Sequence, residues 1–157
     1  MTAITQLIDR LLNATLVTLM AGLVLNVLWQ VATRFLLNEP SSYTEEIAQF
    51  LLMWIGLLGG CYAYRHGSHL GLDVLTAKLD PSLQSVIRKS VLLVSMFFAL
   101  VVLVYGGGQL VQLTLELRQT SAALGLPIGY VYGVLPLSGI LITWYSAVLW
   151  RSPAGPA

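Results

Sequence analysis

The sequence predicts an all-α integral membrane protein with four transmembrane helices, and three observations lead to that prediction. Apolar residues make up 57% of the 157-residue chain and charged residues only 10%, whereas soluble domains carry about 25% charged residues. The charges stand at the ends of long apolar runs. Four of these runs can cross about 30 Å of hydrocarbon, which takes about 20 helical residues. We expect a single membrane domain over residues 1–157, with spans at about 11–37, 45–65, 86–115 and 127–150.

The first apolar run follows an amphipathic segment. Apolar side chains recur there at helical spacing on one face: Ile4, Leu7, Ile8, Leu11 and Leu12. This pattern predicts a short helix that lies in the membrane interface at the N-terminus. The long apolar run, its charged start at Asp9 and Arg10, and the lack of a small-residue cleavage site favour a retained anchor over a signal peptide.

The link between the first two spans is short. Pro40 disfavours helical geometry at the residue before it, so the two spans should form a tight antiparallel hairpin. Two glutamates, Glu45 and Glu46, then open the second span. Ser42 and Glu45 fit a capping box in which each side chain satisfies a free amide at the helix start.

Glu46 needs a separate explanation, because a carboxylate beside hydrocarbon is costly without a partner. It gains about 0.3–1 kcal/mol from the dipole of the second helix. Three further possibilities stay open from the sequence: pairing with Arg34, pairing with an arginine of another protein, or an ion site shared with Glu45.

The second half of the chain contains three further signals. Leu72, Leu75 and Leu79 share one face and predict a second amphipathic interfacial helix between spans two and three. Three consecutive glycines at 106–108 weaken the third helix but let another backbone come close. Pro136 should kink the fourth helix and free the carbonyl of Tyr132.

The connection from Ser121 to Pro127 is unusually apolar for a loop. Bare backbone in lipid leaves hydrogen bonds unmade. We therefore expect this loop either to dip into the bilayer against protein or to be covered by a partner.

Lysine and arginine positions predict the orientation. Six lie at the N-terminal side, in the middle loop or in the C-terminal tail: Arg10, Arg65, Lys78, Arg88, Lys89 and Arg151. The two other connections hold only Arg34 and Arg118. By the positive-inside rule both termini are cytoplasmic, and Glu45 and Glu46 lie on the outer face.

The sequence offers little for catalysis or cofactors. Beyond His66 and His69 there is no other histidine, and Cys61 is the only cysteine, so neither a metal nor a haem ligand set can be completed. Capping or polar contact is the default for the histidines, and burial as a small apolar residue for Cys61. No phosphate-binding loop or protease motif occurs, and a net charge of +1 gives no reason to expect nucleic acid. We predict no enzyme activity and no cofactor.

With these residues in place, the chain resembles the small membrane subunit of tripartite ATP-independent periplasmic (TRAP) transporters, the DctQ-like family, over nearly its whole length. The matching positions, in order, are Arg34-Phe35, Pro40, Tyr43, Glu45, Glu46, a glycine at 59 or 60, Gly67, His69, Asp73, Ser121, Leu124, Gly125, Pro127, Tyr132 and Pro136. Each motif is weak alone, and together they are fairly specific. Tyr43 departs from the family, which usually has tryptophan there.

The resemblance implies a non-catalytic subunit of the bacterial inner membrane with no substrate site. In such systems a periplasmic binding protein captures a carboxylate, and a large membrane subunit moves it with a sodium gradient while the small subunit braces the large one. Arg34, Glu45 and Glu46 would organise the outer end of the hairpin and its partner contact, and His69 and Asp73 would position the cytoplasmic surface helix. The alternative is a self-sufficient, homo-oligomeric small carrier or channel with Glu45 and Glu46 as its ion site.

Overall fold

The computed structural model describes residues 3–36, 42–66 and 81–151, which form six α-helices and one π-helical segment. In chain order these are α1 (Ala3–Leu36), α2 (Ser42–Arg65), α3 (Pro81–Phe98), π1 (Ala99–Gly106), α4 (Gly107–Glu116), α5 (Ile128–Tyr132) and α6 (Val134–Arg151). We call α1 span 1, α2 span 2, α3–π1–α4 span 3, and α5–α6 span 4. Each span contains a helical stretch long and apolar enough to cross a membrane, which confirms the predicted fold class.

Span 1 differs from the prediction at its N-terminal end. The amphipathic segment is not a separate helix but the first turns of α1, because the sequence has no proline to end the helix before Pro40. Leu12 is buried and Ile8 packs against the core, whereas Leu11 is exposed. The second predicted interfacial helix, with Leu72, Leu75 and Leu79, lies outside the described residues.

Spans 2 and 4 run parallel and in register. The Trp54 indole Nε1 donates to the carbonyl oxygen of Val131 at 3.1 Å, and the Cys61 thiol donates to the carbonyl oxygen of Ser138 at 3.5 Å. Both pairs are separated by 77 residues in sequence. A constant offset over two turns means that the two helices advance together in the same direction.

Spans 3 and 4 approach closely at glycines. A Cβ atom added to Gly139 would lie 2.8 Å from Leu103 Cβ and 2.9 Å from the carbonyl oxygen of Ala99, and one added to Gly107 would lie 2.8 Å from Leu135 Cβ. Of the three consecutive glycines, Gly107 therefore has the expected packing role. A Cβ at Gly108 would meet nothing within 4 Å.

Span 4 is interrupted at Gly133, between α5 and α6. This is the break that Pro136 predicts, because a proline has no N–H to donate to the carbonyl four residues earlier. The Trp54 indole supplies a donor to Val131 just before the break. Pro136 itself packs beside Gly107.

The buried apolar core lies between spans 2 and 4 and the adjoining faces of spans 1 and 3. Its fully or nearly fully buried members are Leu12, Leu58, Cys61, Tyr64, Leu92, Val134 and Tyr145. The thiol of Cys61 is completely buried, as expected for a small apolar residue.

Candidate functional site

The carboxylate of Glu46 binds the backbone of the loop between spans 3 and 4. Its Oε1 accepts a hydrogen bond from the N–H of Ala122 at 3.1 Å. Its Oε2 accepts two more, from the N–H groups of Ala123 at 3.0 Å and Leu124 at 2.9 Å. We call this arrangement of Glu46 with Ala122, Ala123 and Leu124 the Glu46 clasp.

The loop is folded locally so that these three amides point the same way. The N–H of Ser121 donates to the Leu126 carbonyl at 2.8 Å, and the N–H of Leu126 donates to Ser121 Oγ at 3.2 Å. Gly125 has φ +66°, a left-handed conformation that glycine adopts readily. The N–H of Gly125 donates to the Ser121 carbonyl at 3.1 Å. These bonds give Ser121 and Gly125, two positions of the sequence motif, a structural reason.

Glu46 and the three loop residues that it binds are 76 to 78 positions apart in sequence. This separation matches the 77 positions between the hydrogen-bonded pairs deeper between spans 2 and 4. It therefore continues the register of those spans to the end of the bundle. We call this end, where the Glu46 clasp lies, the loop end. The apolar loop needs no covering partner to satisfy these amides, because Glu46 supplies the acceptors.

Three backbone N–H donors occupy most of the Glu46 carboxylate. A carboxylate has about four acceptor sites, and the clasp uses three of them. Glu46 is half-buried, whereas the neighbouring Glu45 is exposed. Among the described residues, no group of three or more histidine, cysteine or acidic side chains could hold a metal ion.

Two further bonds join spans 1 and 2 near the same end. The Asn26 side-chain amide donates to the carbonyl oxygen of Thr44 at 2.7 Å. The Trp29 indole donates to the hydroxyl of Tyr43 at 3.2 Å. Tyr43, one of the sequence-predicted positions, thus helps to attach span 1 to the start of span 2.

The other sequence-predicted positions have different locations. Arg34 lies exposed near the end of α1, and within the described part of the chain it forms no ion pair with Glu45 or Glu46. Pro127 directly precedes α5. Four predicted positions lie outside the described residues: Pro40, Gly67, His69 and Asp73.

At the opposite end a second polar cluster joins spans 1, 2 and 4, and the sequence reasoning did not find it. Asp9 Oδ2 lies 3.5 Å from Arg65 Nε, and the hydroxyl of the buried Tyr145 donates to Asp9 Oδ1 at 2.8 Å. The Arg65 guanidinium lies over the Tyr145 ring, 5.9 Å from its centre. The available signal was the opposite charge of Asp9 and Arg65 on the same predicted side of the membrane. We call Asp9, Arg65 and Tyr145 the Asp9 cluster.

His66 follows this cluster at the end of α2. Its Nδ1 lies 2.9 Å from the carbonyl oxygen of Tyr62, and its ring lies against the Tyr62 ring with the centres 4.1 Å apart. The predicted capping or polar contact is therefore correct for this histidine.

Fold and site together define a multi-pass helical membrane protein whose polar side chains tie its own helices together. The family model described as "Tripartite ATP-independent periplasmic transporters, DctQ component" matches residues 23–154. The chain belongs to this family, which confirms the resemblance found in the sequence. It is therefore a component of a bacterial transporter.

Three relatives agree with this assignment. The chain is 27% identical to a Haemophilus influenzae protein named as a TRAP transporter small permease, over 91% of this chain and 87% of that protein. It is 30% identical to the sialic acid TRAP transporter small permease protein SiaQ of Vibrio cholerae, over 82% of this chain and 78% of the relative. It is 32% identical to the ectoine TRAP transporter small permease protein TeaB of Halomonas elongata, over 75% of this chain and 60% of the relative.

Proposed function

We propose that this chain is the non-catalytic small membrane subunit of a TRAP transporter, and that it braces the large membrane subunit during sodium-driven, binding-protein-dependent uptake of an organic carboxylate. The observation that carries the proposal is the Glu46 clasp. It fixes the loop between spans 3 and 4 to the start of span 2, so that the helices keep one relative position at that end. A brace beside a moving subunit needs such a fixed geometry.

The Asp9 cluster supports the same function at the other end of the bundle. Tyr145 is completely buried and bonds to Asp9 across the bundle, which ties span 4 to span 1. Hydrogen bonds to a charged group contribute about 1.5–3 kcal/mol each. Hydrogen bonds between helices at both ends of the bundle favour a subunit whose helices move together as one rigid body.

The rival function is a self-sufficient carrier with Glu45 and Glu46 as its ion site. The hydrogen bonding of Glu46 speaks against it, because the two oxygens accept backbone N–H groups that would have to be released before a cation could bind. Glu45, which is exposed, could not complete an ion site alone.

For localisation, we propose the bacterial inner membrane with both termini cytoplasmic. The excess of lysine and arginine on the side of the termini supports this orientation. The Glu46 clasp then faces the periplasm, where a substrate-binding protein docks. Arg34, Glu45 and Pro40 belong to this face in the proposal, together with the loop residues Leu124, Gly125 and Pro127.

The substrate class rests on the relatives. Two of them are named for sialic acid and ectoine, both of which carry a carboxylate. We propose a carboxylate solute for this transporter as well, recognised by the other subunits.

The experiment that tests the function compares three sets of reconstituted vesicles: the purified chain alone, the large subunit alone, and both together. The binding protein, a labelled carboxylate and a sodium gradient are present in each case. We expect uptake only when both membrane subunits are present. Uptake by the chain alone would refute the brace and support the rival carrier.

His69 and Asp73 stay a separate prediction. If they position the cytoplasmic surface helix, His69→Ala should reduce both co-purification with the large subunit and uptake. Unchanged values for both would show that His69 has no such role.

A further inference from the structure

Span 3 carries a line of polar side chains on a face that points away from the rest of the bundle. Tyr105, Gln109, Gln112 and Glu116 are all exposed. They are linked in pairs along the helix: Gln109 Nε2 donates to the Tyr105 hydroxyl at 2.8 Å, and Gln112 Nε2 donates to Glu116 Oε1 at 2.8 Å. We call these four residues the span 3 polar stripe.

Part of the stripe lies inside span 3, because Glu116 is the last residue of α4 and Gln112 and Gln109 stand four and seven residues before it. Gly107 packs against Leu135, and Gly129 packs against Leu115, so the residues between 107 and 115 lie level with residues 129–135 of span 4. Val131, in the middle of that range, bonds to Trp54, which stands halfway along α2. Gln109 and Gln112 are therefore level with the middle of α2, and they lie about one to two helical turns inside the end of span 3.

Glu116 is also deeper than the other loop-end acids. With the offset of 77 residues between spans 2 and 4, Gly129 lies level with Leu52. Gly129 contacts Leu115, the neighbour of Glu116, whereas Glu46 stands six residues earlier in α2 than Leu52. At about 1.5 Å per residue, Leu52 is about 9 Å further along α2 than Glu46, so Glu116, at the end of span 3, lies further from the start of α2 than Glu46 does.

Two side-chain amides inside a membrane span are poorly suited to face lipid tails. Ionisable and strongly polar groups inside a membrane face protein or a water-filled cavity, and glutamine side chains join helices by hydrogen bonds across their contact. Each amide has two donor hydrogens and an acceptor oxygen, and the bond within the stripe uses one donor of each. A shallow groove of about 430 Å³ runs along this face beside Gly106 and Leu113.

We propose that the span 3 polar stripe is the docking surface for a transmembrane helix of the large membrane subunit, one that presents hydrogen-bonding groups to Gln109 and Gln112 and a donor or cation to Glu116. This inference rests on the proposed function, because it locates the contact with the braced subunit. Gly108, where an added Cβ would meet nothing within 4 Å, leaves open space beside the stripe in which the partner helix can come close.

The charge of the stripe favours the large subunit over a second copy of this chain. Two copies inserted in the same direction are related by an axis along the membrane normal, so equivalent residues meet at equal depth. Pairing through the stripe would bring the two Glu116 carboxylates together, and like charges in contact at an interface are strongly unfavourable. A different chain with a donor or cation at that depth avoids this repulsion.

The test uses the full complex of both membrane subunits in membranes. A photo-crosslinking amino acid replaces Gln109 or Gln112, and the control places it at Val17, which is 62% exposed on span 1. We expect crosslinks to the large subunit from positions 109 and 112 and crosslinks to lipid from position 17. Crosslinks from 109 and 112 only to lipid, or to a second copy of this chain, would overturn the docking surface.

A second measurement uses the variant Gln109→Leu/Gln112→Leu. It should lower co-purification of the large subunit by roughly five- to tenfold, if each amide makes one hydrogen bond across the contact. The melting temperature of the isolated small subunit should be unchanged or higher, because lipid-facing amides are replaced by apolar groups. Co-purification equal to wild type would contradict the proposal.

The two levels of failure are distinguishable. If the wild-type chain does not co-purify with a large membrane subunit, the proposed function itself fails. If it co-purifies while the stripe contacts only lipid, the function stands and the docking surface is wrong.

Discussion

Glu46 meets two needs of the chain with one side chain. A carboxylate at the start of a membrane span requires donors, and an apolar loop near the membrane requires acceptors for its backbone N–H groups. The three bonds of the clasp satisfy both. Glu45, one residue earlier and exposed, does not share this role and offers a matched control.

Replacing Glu46 by glutamine should release the loop. The side-chain amide of the variant turns a donor towards backbone donors and removes the charge, so we expect a loss of about 1.5–3 kcal/mol from the clasp. Backbone amide exchange at Ala122, Ala123 and Leu124 should then speed up at least about tenfold in the isolated subunit. Glu45→Gln should leave exchange at these amides unchanged, and equal protection in the two variants would rule out the clasp.

Gly125 tests the fold of the loop independently. Its φ of +66° is unfavourable for residues with a Cβ, although no atom lies within 4 Å of an added one. Gly125→Ala should therefore lower the unfolding free energy by about 1 kcal/mol, and Gly125→Asn by less, because asparagine tolerates this conformation. Gly22→Ala, in the open interior of α1, is the control and should not destabilise. Equal stability of Gly125→Ala and wild type would contradict the left-handed conformation.

At this scale, part of the site could be predicted from the sequence. The motif from Ser121 to Pro127 and the need of Glu46 for a partner are local patterns. The partner of Glu46 is 76 to 78 residues away, and local periodicity carries no information about such a contact. Arg34, the nearest cation in sequence, is one of the possibilities that the sequence leaves open, but within the described residues it does not pair with Glu46.

At the scale of the helices, span 4 contacts span 2 and span 3 by different kinds of interaction. Trp54 and Cys61 join span 2 to span 4 through hydrogen bonds to backbone carbonyls. Gly107 and Gly139 instead let the backbones of spans 3 and 4 approach directly. Hydrogen bonds and close backbone packing are the main attractive forces between helices in lipid, where the solvent is as apolar as the side chains.

Gly139→Ala should disturb the second of these contacts. The added methyl would lie 2.9 Å from the backbone oxygen of Ala99, which cannot turn away as a side chain could. We expect a loss of about 1–3 kcal/mol in unfolding free energy, measured by thermal or denaturant unfolding of the isolated subunit. Gly60→Ala, where a Cβ meets nothing within 4 Å, should have no such effect. Equal stability of the two variants would mean that spans 3 and 4 are further apart.

The sequence predicted the elements better than their contacts. The bilayer thickness sets the length of an apolar run and places charges at its ends. Four spans could therefore be assigned without knowledge of how the helices pack. Which of the glycines at 106–108 packs against a neighbour depends on helix rotation, and only Gly107 does so closely. The N-terminal amphipathic stripe also carried no information about whether α1 is continuous, because one helix and two helices share the same spacing.

Across the whole molecule, polar contacts concentrate at the two ends of the bundle. The Glu46 clasp joins spans 2 and 4 through the loop, and the Asp9 cluster joins spans 1, 2 and 4 at the other end. Between them, in the part of the chain that the structure describes, lies an apolar core in which Trp54 and Cys61 donate to backbone carbonyls of span 4. A bundle fastened in this way is suited to hold its shape while a partner moves.

The whole-molecule function could be reached from the sequence only through the resemblance. Composition and charge excluded soluble and nucleic-acid-binding classes, but they are equally compatible with a small carrier. The hydrogen bonding of Glu46 favours the proposed brace over a small carrier, because it occupies the carboxylate that a carrier would need free.

The most direct test of the brace is sodium-driven uptake by reconstituted complexes that contain wild-type chain, Glu45→Gln or Glu46→Gln, with equal amounts of large subunit and binding protein. We predict clearly reduced uptake for Glu46→Gln and near wild-type uptake for Glu45→Gln. Wild-type uptake by Glu46→Gln, in a complex whose loop amides exchange freely, would contradict the claim that the clasp shapes the brace.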